Sequence, residues 1–202
     1  MEVSPAAHHT LQSLITKSVQ QDPMREIITD VQSFCTSPLY LVGGYLYRTL
    51  VYELFGTEKA GTADIDFIVG YFDIAKIPNH YKVHMNSYGN PKLKKDDVSI
   101  DVWRLSEHSN FLLCGRKPSI ENYLDLVPIT TQSFAYELST GNLMGEKGMQ
   151  SILTKTIAIN NKLTYDHYHL VRKKSGSISP DYDKLTLLAR ELGFCIVKRE
   201  NV

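Results

Sequence analysis

The chain has 202 residues, 43% of them hydrophobic and 22% charged, enough for one domain or a domain with a small appendage that buries roughly 70% of its unfolded surface without disulfides or a metal staple. No apolar run approaches the roughly 20 residues of a membrane span, and MEVSPAAHHT has neither the basic nor the apolar region of a secretory leader, so a soluble, cytoplasmic protein with no membrane partner is the expectation. With 22 basic and 22 acidic residues the net charge is zero, which gives no global case for nucleic-acid binding and leaves only a local patch open.

From the N-terminus, Leu11, Leu14, Ile15 and Val19, then Met24, Ile27, Ile28 and Val31, recur at near-helical spacing with a break near Pro23. This predicts two helices in a hairpin-like pair. Pro38 to Val42 predicts a short strand, and Gly44 to Phe55 a helix with Leu46, Leu50 and Leu54 in one stripe. Gly56 to Thr62 reads as a connector and Ile65 to Val69 as the next strand. Tyr81 to Tyr88 and Val98 to Leu105 predict two further strands joined by a turn-rich NPKLKKDD. Ser119 opens a helix over SIENYLDL that stops at Pro128, because the residue before proline is pushed out of the helical region. Ser133 to Leu138, an STGN turn and Leu143-Met144 predict a hairpin, followed by a short helix around Met149 to Leu153 and a strand over TIAI. RKKSGSISP reads as a loop, leading to a helix from about Tyr182 to Leu192 ended by Gly193. The fold class expected is α+β: a small mixed sheet over 38–160, preceded by a helical segment over 1–37 and followed by a helical appendage over 161–202. Cys35, Cys114 and Cys195 are odd in number and far apart, which fits reduced thiols better than a disulfide framework.

Chemistry concentrates between Pro38 and Val69. Gly43-Gly44 closes an apolar strand, and one helix later Asp64 and Asp66 lie on the next strand. A strand has period two, so Asp64, Asp66 and Ile68 share one face while Ile65, Phe67 and Val69 take the other. Paired carboxylates on a rigid support suit two hard divalent cations such as magnesium, which prefer oxygen ligands. Without a Cβ, Gly43 and Gly44 let the backbone approach a ligand at the positive end of the following helix. A third acid, Asp101, alternates with Ser99 and Trp103 on one face of VSIDVW. If the two strands are neighbours, three carboxylates converge around a cation; the alternative is three solvated acids on the open face of a sheet. A second pair, Asp181 and Asp183, precedes a helix and reads as capping.

The order GG, helix, DxD, later acid resembles the polymerase-beta-type nucleotidyltransferase superfamily. More narrowly it resembles the head domain of CCA-adding tRNA nucleotidyltransferases and bacterial poly(A) polymerases. TTQSFAYELSTGNLMGEKGMQSILTKTI is similar to a second segment of those enzymes, and together the two stretches cover about Pro38 to Asn160. The resemblance implies that Gly43, Gly44 and Arg48 handle the triphosphate, that Asp64, Asp66 and Asp101 bind two magnesium ions, and that an NMP passes from an NTP to an acceptor hydroxyl. An RNA 3′ end is the first acceptor implied. A protein side chain or a small molecule is the second, and a non-catalytic nucleotide-binding interaction module is the third reading. The chain departs from the relatives in several places, among them a Gly44 to Asp64 connection several residues longer than theirs and the absence of the acidic pair in the helix after Gly145. Arg48-Thr49 lacks the acid that follows their arginine, Val127-Pro128-Ile129 replaces their RRDF, and Gly145 replaces the aspartate of LIDPF. Their long tRNA-binding neck, body and tail have no counterpart, so a stand-alone head that does not hold tRNA as they do is expected.

Arg48 either reaches phosphate or is a solvated helix arginine. Tyr45 and Tyr47 either stack on a base or pack in the first helix turn. Lys92, Lys94 and Lys95 either meet a phosphate backbone or are the solvated residues of a hairpin turn, the second being the usual case. His80 with His84, and His167 with His169, lack a third ligand at a sensible spacing and read as surface histidines.

Overall fold

Ser4 accepts the amide of Ala7 and Pro5 fills the first turn, so α1 (Pro5–Val19) starts well before its apolar stripe. The computed structural model in which this is seen describes residues 2–21, 23–56, 64–86, 89–176, 178–179 and 182–197. These fall into two compact units, one built from 3–108 and 135–144, the other mainly from 109–134 and the residues from 145 onward.

In the first unit, α1 and α2 (Met24–Phe34) form the expected helical pair, burying Leu11, Ile15 and Val19 from one and Ile27, Val31 and Phe34 from the other. Cys35 turns extended at the end of α2, so β1 (Cys35–Val42) follows without a loop. α3 (Gly43–Phe55) then buries Leu46 and Leu50 and ends at Gly56 in the left-handed conformation. The remaining strands are β2 (Asp64–Phe72), β3 (Lys82–Met85), β4 (Pro91–Lys95), β5 (Val98–Arg104), β6 (Ala135–Glu137) and β7 (Leu143–Met144). They form one mixed sheet in the order β3-β4-β5-β2-β1-β6-β7, with β2 and β5 parallel and all other neighbours antiparallel.

One expectation fails here. NPKLKKDD is not a turn: its centre is β4, and the turn is the Asp96-Asp97 corner, with Asp96 at φ 52°. Leu93 is wholly buried between Lys92 and Lys94, a period-two pattern with a single strong apolar residue to announce it. Residues 57–62 of the expected connector, and Ser87 and Tyr88 of the expected strand, lie outside the described residues.

Register puts Leu39, Leu41, Ile65, Phe67, Val69, Leu93, Ile100 and Val102 on one face of the sheet, all buried. Each such side chain contributes about 1.5–3 kcal/mol on burial, which fixes the face and therefore the register. The other face carries the acids.

In the second unit, α4 (Ser109–Cys114) precedes α5 (Ile120–Leu126), which Ser119 caps by accepting the Asn122 amide and which stops before Pro128 as expected. Gly145 at φ 102° opens α6 (Glu146–Leu153), and a Cβ there would lie 2.4 Å from the Ser133 carbonyl. β8 (Thr156–Ile157) pairs in parallel with β9 (Cys195–Ile196). Between them come α7 (Lys162–Lys174) and α8 (Lys184–Leu192), the latter ended by left-handed Gly193. Arg172, Lys173 and Lys174 close α7 and are not part of a loop. Among the residues of α7 only Thr164 is buried, so the helix shows no apolar stripe, and α4 is under two turns long. Neither helix has a periodic signal to read. No helix among the described residues is long and apolar enough to cross a membrane, and all three cysteines are free.

Candidate functional site

Asp66 and Asp101 are register partners across the parallel β2–β5 pair, and Asp64 stands opposite Ser99 one pleat away. All three acids therefore share one face of the sheet, as the alternation predicts. A row crosses four strands there: Lys92 on β4, Asp101 on β5, Asp66 on β2 and Val42 on β1. Like charges directly opposite one another repel. Lys92 offsets this, its ammonium donating to Asp101 Oδ2 at 3.0 Å and lying 3.7 Å from Asp64 Oδ1. Burial disfavours the charged lysine, but the hydrogen bond to Asp101 and the charges of Asp101, Asp64 and Asp66 outweigh it and lift Lys92 above its ordinary value. The acids do not by themselves close on a common point. Among the described residues no group of three carboxylates or imidazoles is gathered tightly enough for a ligand set, and the ammonium lies among them instead.

Gly43 adjoins this row. It sits at φ 73°, and a Cβ built on it would lie 2.2 Å from Asp66 Oδ2, so the carboxylate rests directly against the glycine backbone. α3 begins here, and its N-cap residue Val42 supplies no side-chain cap. Arg48 folds back over the same point: its Nη1 would be 2.5 Å from a Cβ on Gly44, and its guanidinium carbon is 4.9 Å from the Tyr47 ring centroid. Arg48 is half-buried on α3. The tyrosines are structural, since the Tyr45 hydroxyl pairs with Ser18 Oγ at 2.9 Å and Tyr47 is buried.

A scan against protein-family models gives no match, and no curated protein is similar in sequence. Solved structures are similar in fold. A CCA-adding enzyme in complex with CTP is 15% identical with a TM-score of 0.53, the similarity covering 82% of this chain and 40% of that one. A tRNA-processing enzyme with CTP gives 18% and 0.52, over 79% of this chain and 40% of that one. The Thermotoga maritima CCA-adding enzyme complexed with tRNA gives 14% and 0.53, over 92% and 44%. The chain shares the fold of part of these structures. The chain spans less than half the length of these structures.

Oxygen donors on one face, a glycine cradle against Asp66 and a position already selecting a positive charge suit the chemistry of a hard divalent cation such as magnesium. The carboxylates with that donor chemistry are Asp64, Asp66 and Asp101, which as they stand do not converge on one point. The residue that sequence reasoning misplaced is Lys92, assigned to a turn; the K-L-K alternation around buried Leu93 was the available signal. The same face carries further basic groups on neighbouring strands, Lys94 opposite Lys82 and Lys92 opposite His84. Val127 and Ile129, where the relatives carry RRDF, are buried apolar residues of the second unit. Asp183 caps α8 through the Leu185 and Thr186 amides, while Asp181 lies outside the described residues. His80 bonds Asp30 at 2.9 Å and His169 bonds the Tyr165 carbonyl at 2.9 Å, both away from the carboxylates in sequence and partners.

Proposed function

We propose that this chain transfers a nucleoside monophosphate from a nucleoside triphosphate to an acceptor hydroxyl, releasing pyrophosphate. The observation that carries the reading is the row Lys92, Asp101, Asp66 ending against Gly43, where a carboxylate face meets an uncapped helix start. Asp64, Asp66 and Asp101 would hold two magnesium ions, which when bound lower the pKa of the acceptor hydroxyl and neutralise the departing pyrophosphate. The Gly43-Gly44 backbone and Arg48 would bind the triphosphate and orient its α-phosphorus toward the acids. Asp101, on the far side of Asp66 from the glycine turn, would accept the proton of the attacking hydroxyl. No covalent enzyme intermediate is required.

For the acceptor, an RNA 3′ end is the reading we favour. In-line displacement puts the attacking group opposite the pyrophosphate, hence on the β5–β4–β3 side, where Lys82, His84 and Lys94 share the face with Lys92. That stripe is a local basic patch on a chain with no net charge. The second reading, a protein side chain or small molecule as acceptor, rests on the neutral overall charge. The test is transfer of α-labelled ATP, CTP, GTP and UTP with magnesium into total RNA and total protein, by wild type and by Asp64→Ala with Asp66→Ala. Label in RNA that disappears in the variant is expected. Label in protein instead would select the second reading, and no label in either pool from a folded protein would exclude both macromolecular acceptors.

A further inference from the structure

The Lys92 ammonium lies between Asp101 and Asp64, and it is held there by charge and not by packing: its side chain is 43% exposed, with ion pairs to both carboxylates. Its backbone position is fixed, since β4 is locked by buried Leu93 and by the register that sets Lys92 opposite Asp101. Its ammonium is not fixed, because a lysine carries a compact charge on a flexible four-carbon stem.

We infer that Lys92 is a resident counter-cation that keeps divalent metal out of the carboxylates until a triphosphate is present, making metal loading depend on nucleotide. The inference rests on the proposed nucleotidyl-transfer reading and deepens it. Charge balance gives its two signs. Without nucleotide, two divalent ions bring more positive charge to three carboxylates than those carboxylates carry, and Lys92 worsens the excess while occupying two of the ligands. With nucleotide, every phosphate brings negative charge, the excess reverses, and an ammonium that swings from Asp101 to a phosphate oxygen becomes attractive. One residue thus opposes metal alone and favours metal with nucleotide.

The test is manganese binding followed by the electron paramagnetic resonance of the free ion, for wild type, Lys92→Met and Lys92→Arg, each with and without a non-hydrolysable ATP analogue. Lys92→Met is expected to bind manganese alone about tenfold more tightly, the scale of one unit charge a few ångströms away at a half-exposed site. The same variant is expected to bind the analogue with manganese several-fold more weakly, while Lys92→Arg keeps the wild-type order of both affinities. Thermal melting of each variant controls for folding. If Lys92→Met matches wild type in both measurements while Asp64→Ala with Asp66→Ala abolishes manganese binding, the role of Lys92 is overturned and the nucleotidyl-transfer reading stands. If wild type binds neither manganese nor the analogue, both are overturned.

Discussion

Gly43→Ala separates the conformational from the chemical part of the site. At φ 73° an alanine pays the left-handed penalty, about 1–2 kcal/mol, and its Cβ would stand 2.2 Å from Asp66 Oδ2, a distance that no real contact tolerates. The carboxylate must rotate out of the row or the start of α3 must shift. For a chain of about 200 residues, 1–2 kcal/mol lowers Tm by about 2–8 °C. The expected loss in nucleotide transfer is far larger, about 100-fold or more, because Asp66 is displaced from Asp101 by more than the tolerance of an oriented reaction. Gly44→Ala is the control: its φ is not in the left-handed region and its Cβ would meet only the far end of Arg48, 2.5 Å away, which can swing aside. It should melt within a degree or two of wild type and lose mainly triphosphate affinity. Calorimetry and initial-rate assays on both variants decide. A Gly43→Ala protein as stable and as active as wild type would refute the argument that Asp66 is seated on that backbone.

Asp64 is 65% exposed, so Asp64→Ala should change stability by no more than about 0.5 kcal/mol while transfer falls about 1,000-fold; a parallel loss of both would mean a structural acid. Thr49 is buried with no hydrogen-bond partner for its hydroxyl among the described residues, so Thr49→Val should be neutral or stabilising by up to about 1 kcal/mol in denaturant titration, and destabilisation would contradict this. Asn160→Ala removes the amide that donates to the carbonyls of Leu124, Asp125 and Val127 and should cost about 1–3 kcal/mol, which hydrogen exchange at the end of α5 would localise; unchanged exchange there would count against it. Burial pushes His108 down to about 4. The unfolded chain protonates it near 6.5, so its contribution is complete above about pH 6.5, declines as pH falls and levels off at about 4, amounting to at most about 3 kcal/mol. His108→Phe should flatten that acid slope in denaturant midpoints at pH 5 and 7; equal slopes would exclude the buried neutral imidazole.

That Asp64 and Asp66 share a face was legible because alternation along a strand is local. Alternation on β2 and β5 assigns Asp64, Asp66 and Asp101 to faces, and Gly43-Gly44 before an apolar helix needs no long-range information. That β2 and β5 pair in parallel with Asp66 opposite Asp101 depends on tertiary register, which no period within one strand reveals. β4 was misread because charge outweighs apolarity in PKLKK, and Lys92 became visible only once its strand was seen beside Asp101. α7 leaves Leu163, Leu170 and Val171 about half exposed, and it is supported by the Asn161 cap and pairs such as Lys162 with Asp166. Tyr45 could be read either way from sequence because its partner, Ser18, lies 27 positions earlier on α1.

The most direct test of the central claim is a crystal of the protein with manganese and a non-hydrolysable ATP analogue, measured for anomalous scattering. The account predicts manganese peaks ligated by Asp64, Asp66 and Asp101, the triphosphate on the amides of Gly43 and Gly44 beside Arg48, and the Lys92 ammonium released from Asp101. A triphosphate bound elsewhere, or manganese absent from those three carboxylates at saturating concentration, would contradict it.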